Sequence, residues 1–134
     1  MAKTQQPENL KYAETHEWVR VEGDTAYIGI SDYAQDELGD VVYLDLPWDD
    51  AGKRTFAANE HFGDIESVKA TSELFAPISG QLARVNDALK DRAELVNSDP
   101  YGDGWMLALT LSDPAELDKL MDAAAYTKFL ETAH

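Results

Sequence analysis

The chain has 134 residues, with 26 Asp and Glu against 11 Lys and Arg, a formal charge of −15, and no cysteine. That length suits one domain with a real core; the charge excludes a phosphate-binding nucleic-acid surface and docking on anionic lipid, and favours partners with basic faces. Without cysteine there is neither a disulfide framework nor a thiolate metal site, so any thiol chemistry must arrive with an attached cofactor.

In chain order, residues 1–9 read as a mobile polar arm. The arm has neither the apolar stretch of a secretory signal nor the Arg-rich pattern of an organellar one, and no later run approaches membrane-spanning length, so a cytoplasmic home is expected. Residues 10–134 read as a single domain, with a β core over about 15–111 and a helical tail over about 113–132. His16–Val21 and Thr25–Ile30 alternate as strands around a Glu22-Gly23-Asp24 turn. Ser31 is placed to cap a helix over Asp32–Leu38, which Gly39 ends in the left-handed conformation. Val41–Leu46 is a strand stopped by Pro47, and a polar loop runs to Glu60. Phe62–Val68 and Thr71–Phe75 are strands separated by Lys69-Ala70, Ala76–Gly80 is a turn, and Gln81–Val85 is a strand. Asn86–Asn97 is helix-like or looped, Ser98–Gly104 is a turn, and Trp105–Leu111 is the final strand. Then the period changes: with Ser112 as N-cap and Pro114 in the first turn, Leu117, Leu120, Met121 and Ala124 share one helical face, continued by Tyr126, Phe129 and Leu130. Many short strands followed by helices indicate a β-sandwich or barrel with the helices packed on it.

Lys69 stands out, because no other Lys or Arg lies between Arg54 and Arg84. If Lys69-Ala70 is a two-residue hairpin tip, turn preference did not select it, since such turns favour Gly or Asn. A Schiff-base-forming nucleophile needs a desolvated or cationic setting, and the neighbours Glu66 and Glu73 are acids. An exposed lysine on a stiff tip also suits acylation by a separate enzyme, which removes the charge and leaves a long tether. An ordinary surface lysine is the third possibility.

E-S-V-K-A at Glu66–Ala70, followed by Ser79-Gly80, resembles the lipoylation segment of the glycine cleavage H-protein family. The resemblance extends through K-Y-A-x-T-H-E-W (Lys11–Trp18), I-G-I-S-D-Y-A-Q-D-E-L-G-D-V-V (Ile28–Val42), V-N-x-x-L (Val85–Leu89), L-V-N-S-D-P-Y-G-D-G-W (Leu95–Trp105) and D-A-A-A-Y-T-K-F-L (Asp122–Leu130). It implies a mainly β, lipoyl-domain-like barrel-sandwich hybrid, two small sheets forming a flattened barrel, with a short internal helix and C-terminal helices. It also implies lipoic acid in amide linkage to Lys69, and a non-catalytic carrier that shuttles the methylamine group of glycine. The implied partners are a pyridoxal-phosphate glycine decarboxylase (P protein), a tetrahydrofolate-dependent aminomethyltransferase (T protein), dihydrolipoamide dehydrogenase (L protein) and a lipoylating enzyme. A biotin carrier is a related alternative, but it would flank the lysine with Met where Val68 and Ala70 stand.

By the same resemblance Glu17 matches an acidic position at which the loaded arm's amine is held; the plain alternative is a solvated strand carboxylate. Glu66 is either read by the lipoylating enzyme or simply exposed. Glu37 departs from the imidazole that some members carry there. His16, His61 and His134 are dispersed in sequence. His61, Asp64 and Glu66 make the best mixed donor set, but strand alternation puts residue 61 on the opposite face, so no metal site is expected. Trp18, Trp48 and Trp105 are expected in or at the edge of the core. Gly102 and Gly104 serve a turn, because the phosphate-cradling spacing and its following Lys are absent.

Overall fold

A computed structural model describes residues 6–132. The N-terminal strands are β1 (Lys11–Tyr12), β2 (Glu17–Glu22) and β3 (Thr25–Ile30), followed by helix α1 (Asp32–Leu38) and β4 (Val41–Asp45). Next come β5 (Thr55–Phe56), β6 (His61–Ser67), β7 (Thr71–Phe75) and β8 (Gly80–Val85). A 3₁₀ turn at Asp87–Lys90, α2 (Leu95–Ser98), β9 (Leu107–Leu111), a second 3₁₀ segment at Pro114–Lys119 and α3 (Ala123–Thr132) complete the chain.

The strands form two antiparallel sheets, one ordered β1-β2-β3-β9-β8-β5 and the other β4-β6-β7. No strand pairing joins them, so the expected lipoyl-domain-like barrel is open and its sandwich character dominates. One core is shared by both layers: Val19, Ile28, Leu82 and Leu109 of the larger sheet pack with Leu44, Ile65 and Leu74 of the smaller. In β4 and β6, Leu44 and Ile65 alternate with exposed or half-buried Tyr43, Asp45, Asp64 and Glu66, as strands with one face in a core must, whereas Trp18 beside Val19 is buried in a second cluster. That cluster joins Leu10, Tyr12 and Trp18 to Ala123, Tyr126 and Leu130 of α3, with the Tyr12 and Tyr126 rings stacked at 4.5 Å. Trp18 is fully buried and Trp48 and Trp105 are half-buried, as expected.

Several local expectations need correction. The loop after Pro47 contains β5, where buried Phe56 pairs with Gly80. β1 pairs with β2 ahead of the first expected strand, too short to show a period. Gly39 has the expected positive φ of 82°, but its ψ of −159° is extended rather than left-handed helical. The tail residues expected on one helical face are split between two clusters, and Ser112 is not the N-cap. Asp113 caps the 3₁₀ segment, accepting from Ala115 N–H at 3.1 Å. The helix then breaks because Met121 exchanges two backbone hydrogen bonds with Tyr12, at 2.8 and 2.9 Å. Leu117 and Leu120 therefore pack on the main core, Met121 joins the second cluster, and Ala124 is exposed.

Of the expected arm, residues 1–5 lie outside the described residues; Pro7 O accepts from the Tyr12 hydroxyl at 2.7 Å. No helix among the described residues is long and apolar enough to cross a membrane.

Candidate functional site

Lys69 sits where β6 turns into β7. The tip is Val68-Lys69 rather than Lys69-Ala70, because Ser67 N–H donates to Ala70 O at 2.8 Å and closes the turn between them. The turn chemistry resides in Ser67, one residue before the tip, where serine is favoured at the first position of a turn. Its Oγ accepts from the backbone N–H of Lys69 at 3.3 Å and of Ala70 at 3.1 Å. Neither Val68 nor Lys69 needs a positive φ, which explains how the tip dispenses with Gly and Asn. Val68 is 69% exposed, Lys69 is exposed, and Lys69 forms no ion pair with the described residues.

The tip is also held from below. Val68 N–H donates to Asp40 O at 3.0 Å in the α1–β4 connection. Asn97 locks that connection from α2: its Nδ2 donates to Gly39 O at 2.8 Å and to Gln35 Oε1 at 2.9 Å, and its Oδ1 accepts from Val41 N–H at 2.8 Å. The Lys69 stem passes over Gly39, and a Cβ there would stand 3.4 Å from Lys69 Cε. The sequence reading missed Ser67 and Asn97, although Asn97 lies in one of the blocks that carry the family resemblance.

Glu17 is not a solvated carboxylate: it is 1% exposed. β7 is an edge strand of the smaller sheet, and its Phe75 N–H, unpaired by any strand, donates to Glu17 Oε2 at 3.1 Å. The Thr15 hydroxyl donates to the other oxygen. Burial pushes the carboxyl up from its ordinary 4.5 to about 7, and these hydrogen bonds offset only part of the rise. Glu17 lines a cleft of about 300 Å³ walled by β2, α1 and the β7 half of the lysine hairpin, including His16, Tyr33, Glu37, Ser72 and Glu73. His16 has φ 79° and is pinned there: its Nδ1 is 2.7 Å from the Tyr126 hydroxyl, itself 2.7 Å from Ser31 Oγ. Burial lowers the His16 pKa, against the opposing influence of Glu37. Glu66 is exposed on β6 beside Tyr43 and Thr71, outside this cleft.

The His61, Asp64 and Glu66 grouping, from which no metal site is expected, is rearranged by the fold. A bulge at Phe62 shifts the β6 register between His61 and Gly63. This extra residue turns His61 onto the outward face of Asp64, and the third donor within reach is Glu73, across the hairpin, rather than Glu66.

Two small antiparallel sheets around one core, with an exposed lysine at a braced hairpin tip, define a lipoyl-domain-like protein. The family model for the glycine cleavage H-protein matches residues 10–133. A glycine cleavage system H protein of Brevibacillus brevis is 57% identical over 120 residues, covering 90% of this chain and 93% of that one. A probable glycine cleavage system H protein of Haloarcula marismortui is 52% identical over 125 residues, covering 93% and 96%. The crystal structure of a glycine cleavage system H protein from Mycobacterium marinum superposes with a TM-score of 0.83 at 33% identity, covering 93% of this chain and 98% of that one. The chain belongs to the glycine cleavage H-protein family.

Proposed function

We propose that the chain is the lipoylated carrier of a glycine cleavage system, with lipoic acid attached to Lys69 Nζ. The observation that carries this reading is Lys69 itself, exposed at a tip whose turn is closed by Ser67 and braced by Asp40. A ligating enzyme needs such an accessible primary amine, and the lysine has no described carboxylate partner to displace. Held in amide linkage to Lys69 Nζ, the lipoyl group would supply a disulfide able to carry glycine's methylamine between the glycine decarboxylase and the aminomethyltransferase, with dihydrolipoamide dehydrogenase as the partner that would restore the disulfide.

The protein's own residues present and shelter the arm. Residues Ser72 and Glu73 on β7, which line the cleft, begin three positions beyond the tip residue Lys69, a span of at most roughly 10 Å at a strand's rise per residue. Above pH 7 the Glu17 carboxyl is ionised but poorly solvated, so a protonated amine entering the cleft is attracted to it. Tyr33, Leu38 and Leu74 line the cleft and take the place of part of the water around the amine. Glu66 is assigned to recognition by the lipoylating enzyme, since it is exposed on the hairpin three residues before Lys69. Glu37 contributes a further carboxylate to the cleft.

Intact mass of the chain from a lipoate-competent cell tests the attachment: a lipoyl adduct mapped to Lys69 supports the reading, and a biotin adduct or an unmodified chain active alone on a carbonyl substrate overturns it. Lys69→Arg is expected to fold normally and to support no glycine turnover with the other three components. Full turnover by that variant would remove the carrier role.

A further inference from the structure

The lysine hairpin carries a donor set separate from the buried Glu17, sharing with the cleft only the exposed residue Glu73. The β6 bulge brings His61 Nε2 to 3.0 Å from Asp64 Oδ1. Glu73 stands directly opposite Asp64 in the register of β6 and β7. One ligand atom from each of the three lies within 4.8 Å of the other two. Directly opposed carboxylates on a sheet repel one another, and no described Lys or Arg forms an ion pair with Asp64 or Glu73. His61 is the only described positive partner they have, and only when it is protonated. From this arrangement we infer a divalent transition-metal site, of the Zn²⁺ class, formed by His61, Asp64 and Glu73.

The geometry needs little adjustment. Bonds of about 2.0–2.1 Å in a tetrahedral site place neighbouring donors roughly 3.3 Å apart. The His61–Asp64 pair is already near that separation, so the ion replaces the proton shared between them. Glu73, with three rotatable side-chain bonds, closes the remaining gap of at most about 1.5 Å. Paired strands fix the three backbones, and the exposed position leaves the fourth coordination place to water. One imidazole and two carboxylates suit Zn²⁺ or its first-row neighbours; Mg²⁺ favours oxygen alone.

The test is calorimetric titration of Zn²⁺ into untagged, chelator-treated protein, followed in parallel by the NMR signals of the His61 ring. One saturable site below ~1 mM Zn²⁺ is expected, with the His61 ring resonances shifting as it fills and Mg²⁺ leaving them unmoved. His61→Ala should weaken binding by about tenfold or more, and Glu73→Gln should weaken it measurably. His134→Ala should bind as the parent does. Because His61 and Glu73 are exposed, both variants should keep the parental fold, checked by the unchanged amide spectrum elsewhere in the chain. No saturation below ~1 mM, undiminished binding by His61→Ala, or loss of binding in His134→Ala would each overturn the site.

Discussion

Glu17→Gln isolates the cost of holding a carboxylate at the seam between the two sheets. In the folded protein burial raises the Glu17 pKa from 4.5 to about 7, so the fold binds this proton more tightly than the unfolded chain does. The group's contribution to stability is therefore greatest below pH 4.5 and is lost as pH rises through 7. At 1.36 kcal/mol per pH unit the full loss is about 3 kcal/mol. Glutamine has the same shape and cannot ionise. Its Oε1 can accept from Phe75 N–H while its NH₂ donates to the Thr15 hydroxyl oxygen, whose own hydrogen turns away. The variant therefore retains the contacts and loses only the titration. Urea unfolding of unlipoylated parent and variant at pH 5, 6, 7 and 8 measures the difference, in which every other titrating group cancels. The parent should lose about 2.5 kcal/mol relative to the variant between the ends of that range, since pH 5 already lies above the unfolded pKa. Parallel profiles would show that the carboxyl is solvated or compensated, and the reasoning about its burial would fail. On the carrier reading, loading the arm with methylamine should recover part of the loss in the parent and none in the variant.

Asn97→Ala removes three hydrogen bonds from the connection that braces the lysine tip. A loss of roughly 2–3 kcal/mol is expected from the polar groups left behind, with faster hydrogen exchange at the Val68 amide; unchanged exchange there would mean that Asp40 O needs no such support. Gly39→Ala places a side chain on a backbone at φ 82° and ψ −159°, a region essentially restricted to glycine. It should cost about 1–3 kcal/mol in thermal or chemical unfolding and displace the Lys69 stem, seen as a shifted Lys69 side-chain resonance. A neutral Gly39→Ala would show that the connection relaxes freely.

What the sequence alone determined was local. Alternation placed most strands, Ser31 capped α1 as read, with Oγ accepting from Ala34 N–H at 3.2 Å, and the isolation of Lys69 among acids singled out the residue that the structure exposes at the hairpin tip. Tertiary structure decided what depends on segments distant in the chain. The sequence leaves open whether Glu17 is a solvated strand carboxylate, and the free edge of β7, 58 positions away, decides it by covering the side chain and supplying a hydrogen bond. Leu117, Leu120, Met121 and Ala124 read as one helical face until Tyr12 takes the backbone groups of Met121. His61 reads as facing away from Asp64 until a single extra residue in β6 reverses its side. Side-chain period fixes a face only while the ladder remains regular, and burial of a polar group depends on which edge another strand leaves unpaired. Neither condition is written in the residues adjacent to the one concerned.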